Sequence, residues 1–157
     1  MLQVIAQDGC AAYIEIKRWD IYILATSSDK LPKGIAMKKI LLVDDEEQLV
    51  DIMASVLQDE GFAVKTMMSA EEALSSYATY HPDLVISDVK MERMDGFLMF
   101  EKLKAINGRC VPFIFLTALD DRLGQQRAKS LGATAYVSKP FDLDELVGIV
   151  KRVLPQP

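Results

Sequence analysis

Polar residues stand at the ends of four short apolar runs, and this pattern constrains the fold more than any other feature of the chain. Asp44 and Asp45 follow ILLV, Asp88 follows LVIS, Thr117 follows FIFL, and Lys139 follows YVS. Short runs rich in Val, Ile, Leu or Phe are typical of strands buried on both faces. Segments with helical periodicity separate the runs. The sequence therefore predicts an α/β fold with a parallel sheet.

From Lys39 onward the pattern predicts five strand–helix repeats. The predicted strands cover residues 39–43, 62–67, 83–88, 111–116 and 134–138. Right-handed crossovers with helices on both faces give a doubly wound sheet, for which we predict the flavodoxin-like order 2-1-3-4-5. This order places the carboxyl ends of strands one and three side by side. We therefore expect Asp44, Asp45 and Asp88 to meet there.

The helix signals are equally local. The first helix is predicted over about 46–60. Its expected buried face consists of Leu49, Ile52, Met53, Val56 and Leu57. Ser69 with Glu72, and Asp142 with Glu145, have the spacing of capping boxes that open later helices.

Three carboxylates within a few ångströms repel one another unless a cation lies among them. Oxygen ligands without nearby cysteine or histidine favour a hard ion, so Mg²⁺ is the predicted ion and Mn²⁺ a possible substitute. The alternative is that acids after a strand only stabilise the next helix N-terminus. We accept that interpretation for Glu46 and Glu47. It explains Asp44 and Asp45 less well, because Asp88 and Lys139 stand at the equivalent ends of other predicted strands.

Asp88 is the candidate nucleophile, because a carboxylate can attack phosphorus to give an acyl phosphate. Lys139 could contact a phosphate oxygen, and Thr117 could donate a hydrogen bond to another. Taken singly, Thr117 could merely cap a helix and Lys139 could merely be solvated. Their joint occurrence favours a phosphoryl site. The Lys139-Pro140 bond could be cis or trans, and the sequence leaves both open.

Composition narrows the function classes. The net charge of −5 argues against nucleic acid as a direct partner. Cys10 and Cys110 lie far apart with no CxxC pair, which excludes a disulfide framework and is typical of a reducing cytoplasm. No apolar run approaches the roughly 20 residues of a membrane span, so membrane insertion is not expected.

Residues 31–34, Leu-Pro-Lys-Gly, form the clearest boundary. We assign residues 1–36 to an N-terminal extension of unknown role and residues 37–157 to one domain. The extension could add a docking strand, or it could lie upstream of the true start at Met37. We favour the second interpretation, because the domain has its own strands and capped helices.

Residues 38–157 resemble the receiver domain of two-component response regulators. The matching pieces are LLVDDE at 41–46, PDLVISDVKMERMDG at 82–96, FLTA at 115–118 and YVSKPF at 136–141. The resemblance implies that Asp88 accepts a phosphoryl group and that Thr117 and Lys139 bind it. It also implies that Asp45 and Asp88 hold Mg²⁺ directly, that Asp44 acts largely through water, that the Lys90 carbonyl is a further ligand, and that Tyr136 is an aromatic switch.

The resemblance further implies a sensor histidine kinase or a histidine phosphotransfer protein as phosphoryl donor. A downstream protein would bind the surface formed by helix four, strand five and helix five. One departure is visible, since Glu92 stands where the family usually has proline after Met91. We expect this change to alter loop mobility or phosphoryl lifetime without abolishing function.

We predict a stand-alone receiver that catalyses only its own phosphoryl transfer and dephosphorylation. One alternative is a receiver cut from a longer transcriptional regulator. Another is a Mg²⁺-dependent phosphatase with an aspartyl nucleophile, although such enzymes resembling the haloacid dehalogenase group need a second acid at the position of Lys90. A third is a docking module that is never phosphorylated, which the intact pocket disfavours.

Overall fold

A computed structural model describes residues 37–107, 111–118 and 122–155 of the chain. Within these residues, strands and helices alternate from beginning to end. The strands are β1 (Lys39–Val43), β2 (Ala63–Met67), β3 (Leu84–Asp88), β4 (Phe113–Ala118) and β5 (Ala135–Lys139). The helices are α1 (Glu47–Asp59), α2 (Ala70–Tyr80), α3 (Gly96–Asn107), α4 (Arg122–Leu131) and α5 (Leu143–Val153).

The strands form one parallel sheet in the order β2-β1-β3-β4-β5. The predicted fold class and strand order are therefore confirmed. In the register, Val43 of β1 lies opposite Ser87 of β3, so the chain that follows β1 lies beside the end of β3. This adjacency is the geometric basis of the candidate site.

Apolar side chains cover both faces of the sheet, because successive strand residues point to opposite sides. On one face, Ile40 and Leu42 pack with the buried residues of α1 and α5. On the other face, Leu41 and Val43 pack with buried residues of α2, α3 and α4. Burial on both sides explains why the strands appear in the sequence as uninterrupted apolar runs.

Side chains cap the starts of α2 and α5 at the predicted positions, and a glycine follows the end of α1. Ser69 Oγ accepts a hydrogen bond from the Glu72 amide, and Glu72 accepts one from the Met68 amide. Asp142 accepts hydrogen bonds from two amides at the start of α5. Gly61, just after α1, has a φ of 88°, a backbone conformation that favours glycine.

Two predictions need correction. Strand β4 continues to Ala118 and β5 to Lys139, so Thr117 and Lys139 lie within their strands and not after them. Ile52, predicted on the buried face of α1, is 51% exposed. The buried residues of α1 are Val50, Met53, Ala54 and Leu57. These have the i, i+3, i+4, i+7 spacing of one narrow helix face, and Ile52 lies off that stripe.

The predictions about residues 1–36, Cys10 and Cys110 lie outside the residues that the structure describes. The described residues all belong to one compact unit. None of their helices is long and apolar enough to cross a bilayer.

Candidate functional site

The carboxyl-terminal edge of the sheet brings together the three predicted acids. Asp44 and Asp45 follow β1, and Asp88 is the last residue of β3. One carboxylate oxygen from each residue lies within 4.8 Å of those of the other two. Their burial differs, since Asp44 is 0% exposed and Asp88 is 6% exposed, whereas Asp45 is exposed. The acids therefore form a cluster in which Asp44 and Asp88 are buried, while Asp45, the rim of the cluster, is open to solvent.

The side chain of Lys139 extends from the end of β5 into this cluster. Its Nζ atom lies 2.8 Å from Asp44 Oδ2 and 3.2 Å from Asp88 Oδ1. A third acid takes part, because Glu46 Oε1 lies 3.2 Å from the same ammonium. The Lys139-Pro140 peptide bond, left open by the sequence, is cis. One cation thus faces several carboxylates.

Asp44 is fixed on both carboxylate oxygens. Its Oδ1 accepts a hydrogen bond from the Glu46 amide at 2.9 Å, and its Oδ2 accepts one from Lys139. Asp45 is held from another direction, since its Oδ2 accepts a hydrogen bond of 3.2 Å from the amide of Glu92 in the loop after β3. Asp44 therefore fixes the position of the Lys139 ammonium, and Asp45 is the more accessible carboxylate.

The burial and charge of the cluster perturb two pKa values. Burial raises the pKa of Asp88 to about 6, with Asp44 and Asp45 adding to the rise and Lys139 opposing it. For Lys139, burial alone would lower the pKa, but the hydrogen bond to Asp44 and the charges of Asp88 and Asp44 raise it. The ammonium therefore stays charged, while Asp88 retains more proton affinity than an ordinary aspartate.

Thr117 and Tyr136 lie on the two strands beyond Asp88 and point to the same face of the sheet, since Thr117 pairs with Ser138 and Phe115 pairs with Tyr136. Thr117 is 1% exposed, and its Oγ1 has no hydrogen-bond partner among the described residues. A buried hydroxyl normally bonds a partner. Thr117 is thus a donor available to a ligand. Tyr136 is half-buried against the apolar layer that contains Phe115.

The loop after β3 and Gly96, the first residue of α3, pack closely on the end of β3. Gly96 donates a hydrogen bond to the Val89 carbonyl at 3.0 Å. A Cβ atom at Gly96 would lie 2.3 Å from the Asp88 carbonyl oxygen, so no larger residue fits there without displacement. Lys90, in the same loop, has an exposed side chain. Its predicted role as a carbonyl ligand stays a prediction.

Sequence reasoning missed two features of the site. Glu46 was interpreted as a helix-terminal acid, yet it also contacts Lys139. A signal was present, since Glu46 directly follows the aspartate pair. The hydrogen bond from the Glu92 amide to Asp45 was not foreseen either, because a backbone donor leaves no trace in residue type.

Comparison with known proteins decides the family. Residues 40–151 match the family model described as the response regulator receiver domain. The chain belongs to the receiver domain family. This membership confirms the resemblance and places the chain among proteins of two-component signalling.

Individual relatives of this receiver are of two kinds. It is 37% identical over 117 residues to the alkaline phosphatase synthesis transcriptional regulatory protein PhoP of Bacillus subtilis, covering 74% of this chain and 48% of that protein. It is 36% identical over 119 residues to an uncharacterized 14.6 kDa protein of Leptolyngbya boryana, covering 75% of this chain and 91% of that protein. The chain spans about half or less of the length of several regulatory proteins that it matches.

Among solved structures, the receiver resembles the chemotaxis protein CheY4 of Vibrio cholerae with a TM-score of 0.72 and 33% identity. The similarity covers 76% of this chain and 100% of CheY4.

The donor set of this receiver fits a hard divalent cation. All three candidate ligands are carboxylates, and their oxygens are close enough to share one ion. Three carboxylates surround the single ammonium of Lys139, so the formal negative charge of the cluster exceeds the positive charge that Lys139 supplies.

Proposed function

We propose that this receiver accepts a phosphoryl group on Asp88 from a phosphohistidine, in the presence of Mg²⁺ or Mn²⁺. The donor would be a sensor histidine kinase or a histidine phosphotransfer protein. The observation that carries the proposal is the position of Asp88. Its carboxylate is nearly buried, lies 3.2 Å from the Lys139 ammonium and belongs to a cluster of three acids.

The transfer step uses the ionised form of Asp88. A carboxylate oxygen attacks phosphorus while the bond between phosphorus and the imidazole nitrogen breaks, and the electron pair returns to that nitrogen. Because the pKa of Asp88 is about 6, the carboxylate is mostly ionised at neutral pH. The imidazole carries or takes up one proton on its other ring nitrogen as it departs, so the products are an aspartyl phosphate on this chain and a neutral histidine on the donor.

Two side chains of this chain would hold the transferred group. The Lys139 ammonium already contacts Asp88 and would bind a phosphoryl oxygen as a point charge. The Thr117 hydroxyl, which is buried and without a described partner, would donate to another oxygen. Asp45, Asp88 and the Lys90 carbonyl would hold the cation directly, with Asp44 acting through water. The cation would offset the charge that the phosphoryl oxygens bring.

Phosphorylation would then change the surface formed by α4, β5 and α5. Movement of Thr117 toward the phosphoryl group would open space on the face it shares with Tyr136, and Tyr136 would follow. A partner protein with different affinities for the two arrangements would shift the equilibrium between them. A differential affinity of a few kcal/mol is enough.

We propose signalling and not turnover of a separate substrate. The position two residues after Asp88 is Lys90, which cannot serve as the second acid of an aspartyl phosphatase. A cytoplasmic location and the absence of direct nucleic-acid contact are parts of the same proposal.

The test is incubation with acetyl phosphate and Mg²⁺, followed by intact-mass measurement. We expect the wild-type chain to gain one phosphoryl group. Asp88→Asn should gain none, and Asp51→Asn, which changes an exposed acid on α1, should behave as wild type. Undiminished uptake by Asp88→Asn would overturn the assignment of Asp88.

A further inference from the structure

One backbone hydrogen bond links the loop after β3 to the rim of the acidic cluster. The Glu92 amide donates to Asp45 Oδ2 at 3.2 Å, across 47 positions of sequence. The proline usual at this position in the family has no N–H group, so this donor is a feature of the present chain. We propose that the Glu92 amide positions Asp45 for cation binding here, so that removing the N–H group alone weakens binding of Mg²⁺ by this chain. The inference rests on the proposed function, since it assumes that the three acids bind the cation.

Asp45 is the acid of the cluster that needs such positioning. Asp44 is fully buried with both oxygens bonded, and Asp88 is nearly buried against Lys139. The exposed Asp45 has no comparable enclosure. An exposed carboxylate samples several rotamers, and restricting it to one of them has an entropic cost. A donor that favours the rotamer pointing at the other acids lowers this cost before the cation arrives.

The hydrogen bond is compatible with a cation on the same carboxylate. A carboxylate offers two oxygens with about four acceptor sites, so one N–H bond leaves the others available. Donors that orient a metal ligand from outside the coordination shell commonly increase metal affinity. The Glu92 amide therefore orients Asp45 and does not displace the ion.

The loop holds the amide in place through its own contacts. Met94 donates a hydrogen bond to the Glu92 carbonyl at 2.7 Å, and Gly96 donates one to Val89. Arg93, which lies between Glu92 and Met94, has a positive φ of 60°. These hydrogen bonds hold the loop in one conformation, and in that conformation the Glu92 amide is directed at Asp45.

The test separates the N–H group from the charge and from the stiffness of residue 92. Glu92→Ala, Glu92→Gly and Glu92→Pro all remove the same charge, but only proline lacks the amide hydrogen. Glycine loosens the backbone, whereas proline restricts it. Mg²⁺ dissociation constants are measured by calorimetric titration. Thermal midpoints without metal report any general loss of stability.

We expect the alanine and glycine variants to bind Mg²⁺ with dissociation constants within about twofold of each other. The proline variant should bind about tenfold more weakly than alanine, as is typical when an orienting donor is lost. Proline binding as tightly as alanine would overturn the inference. The inference would also be overturned if the Mg²⁺ dissociation constants of the glycine and proline variants moved in opposite directions from that of the alanine variant. Backbone stiffness would then explain the differences between the variants.

A second measurement keeps the inference testable if the proline variant does not fold. In the metal-free chain, Asp45→Ala should speed hydrogen exchange of the Glu92 amide about tenfold, since a hydrogen bond of about 1.4 kcal/mol is lost. The Gly96 amide, bonded to Val89, should exchange at an unchanged rate. Equal exchange of the Glu92 amide in both proteins overturns the inference. A wild-type chain that binds no Mg²⁺ overturns the proposed cation site and this inference with it, whereas wild-type binding with equal variant affinities overturns the inference alone.

Discussion

The Nζ atom of Lys139 lies 2.8 Å from Oδ2 of Asp44, an aspartate that is 0% exposed and 95 residues distant in sequence. This ion pair joins the end of β5 to the end of β1 across the whole width of β3 and β4. A buried pair of this kind is weak evidence for net stability, but loss of one partner leaves an uncompensated charge. Lys139 therefore has a structural role in addition to its proposed role toward phosphate.

Lys139→Ala is expected to lower the free energy of unfolding by about 3 kcal/mol at neutral pH, because Asp44 and Asp88 lose their shared counter-charge. Urea unfolding without metal measures the change. Lys151→Ala is the matched control, since it removes an exposed ion pair with Glu60 and should cost less than about 1 kcal/mol. Equal losses in the two variants would contradict the assignment of Lys139 as the counter-charge of the buried acids.

Asp88→Asn is expected to stabilise the metal-free chain increasingly as pH rises. The pKa of Asp88 is about 6 in the folded chain and near the ordinary 3.8 in the unfolded chain, so folding favours the protonated carboxyl. That contribution is fully present below 3.8 and is lost as pH rises through 6. Asparagine is neutral throughout and avoids the loss.

Unfolding of the wild type and of Asp88→Asn at several pH values checks this prediction. The advantage of the variant should be larger at about pH 7.5 than at about pH 4 by on the order of 2 kcal/mol. A difference that is constant across this range would show that Asp88 titrates normally. Mg²⁺ added at neutral pH should reduce the advantage, since a cation in the cluster compensates the Asp88 charge.

Gly96→Ala is expected to destabilise the fold by about 2 kcal/mol through overpacking. The added Cβ would lie 2.3 Å from the Asp88 carbonyl oxygen and 3.0 Å from Ser87 Oγ, so the loop after β3 must shift. Phosphoryl uptake should also slow, because the shift moves the backbone of Asp88. Thermal unfolding and acetyl phosphate kinetics measure the two effects.

Gly148→Ala is the matched control for that substitution. In helix α5 its added Cβ meets only the flexible end of Arg152 at 3.7 Å, and alanine is the better helix former by about 1 kcal/mol. This variant should be as stable as the wild type or more stable. If the Gly96→Ala protein also kept its thermal stability and its rate of phosphoryl uptake, the start of α3 would not pack on Asp88 as described.

The sequence was sufficient for the sheet and for the meeting of its acids, because both follow from local signals. Apolar runs buried on two faces identify the strands, and the order of a doubly wound sheet then places Asp44, Asp45 and Asp88 at one edge. Strand ends were less predictable. β5 continues to Lys139, because the long aliphatic part of a lysine side chain can pack along a sheet while its ammonium group extends beyond the sheet edge.

Contacts that depend on the folded position of a long side chain, or on a backbone group, were not predictable in the same way. Glu46 meets Lys139 across 93 positions, which only the folded geometry determines. The amide of Glu92 is a donor that every residue except proline carries, so nothing in the residue type announces its bond to Asp45. Ile52 was misplaced because a helix face drawn from apolar residues alone is wider than the face that touches the sheet.

We predict that a polypeptide of residues 37–157 folds cooperatively on its own and takes up phosphate at the rate of the full chain. The described residues supply all strands of the sheet order, a helix layer on each face, and the acids with Lys139. Thermal unfolding and acetyl phosphate kinetics of the two chains test this domain boundary. A clearly lower thermal midpoint, or loss of solubility in the shorter chain, would show instead that residues 1–36 are an integral part of the fold.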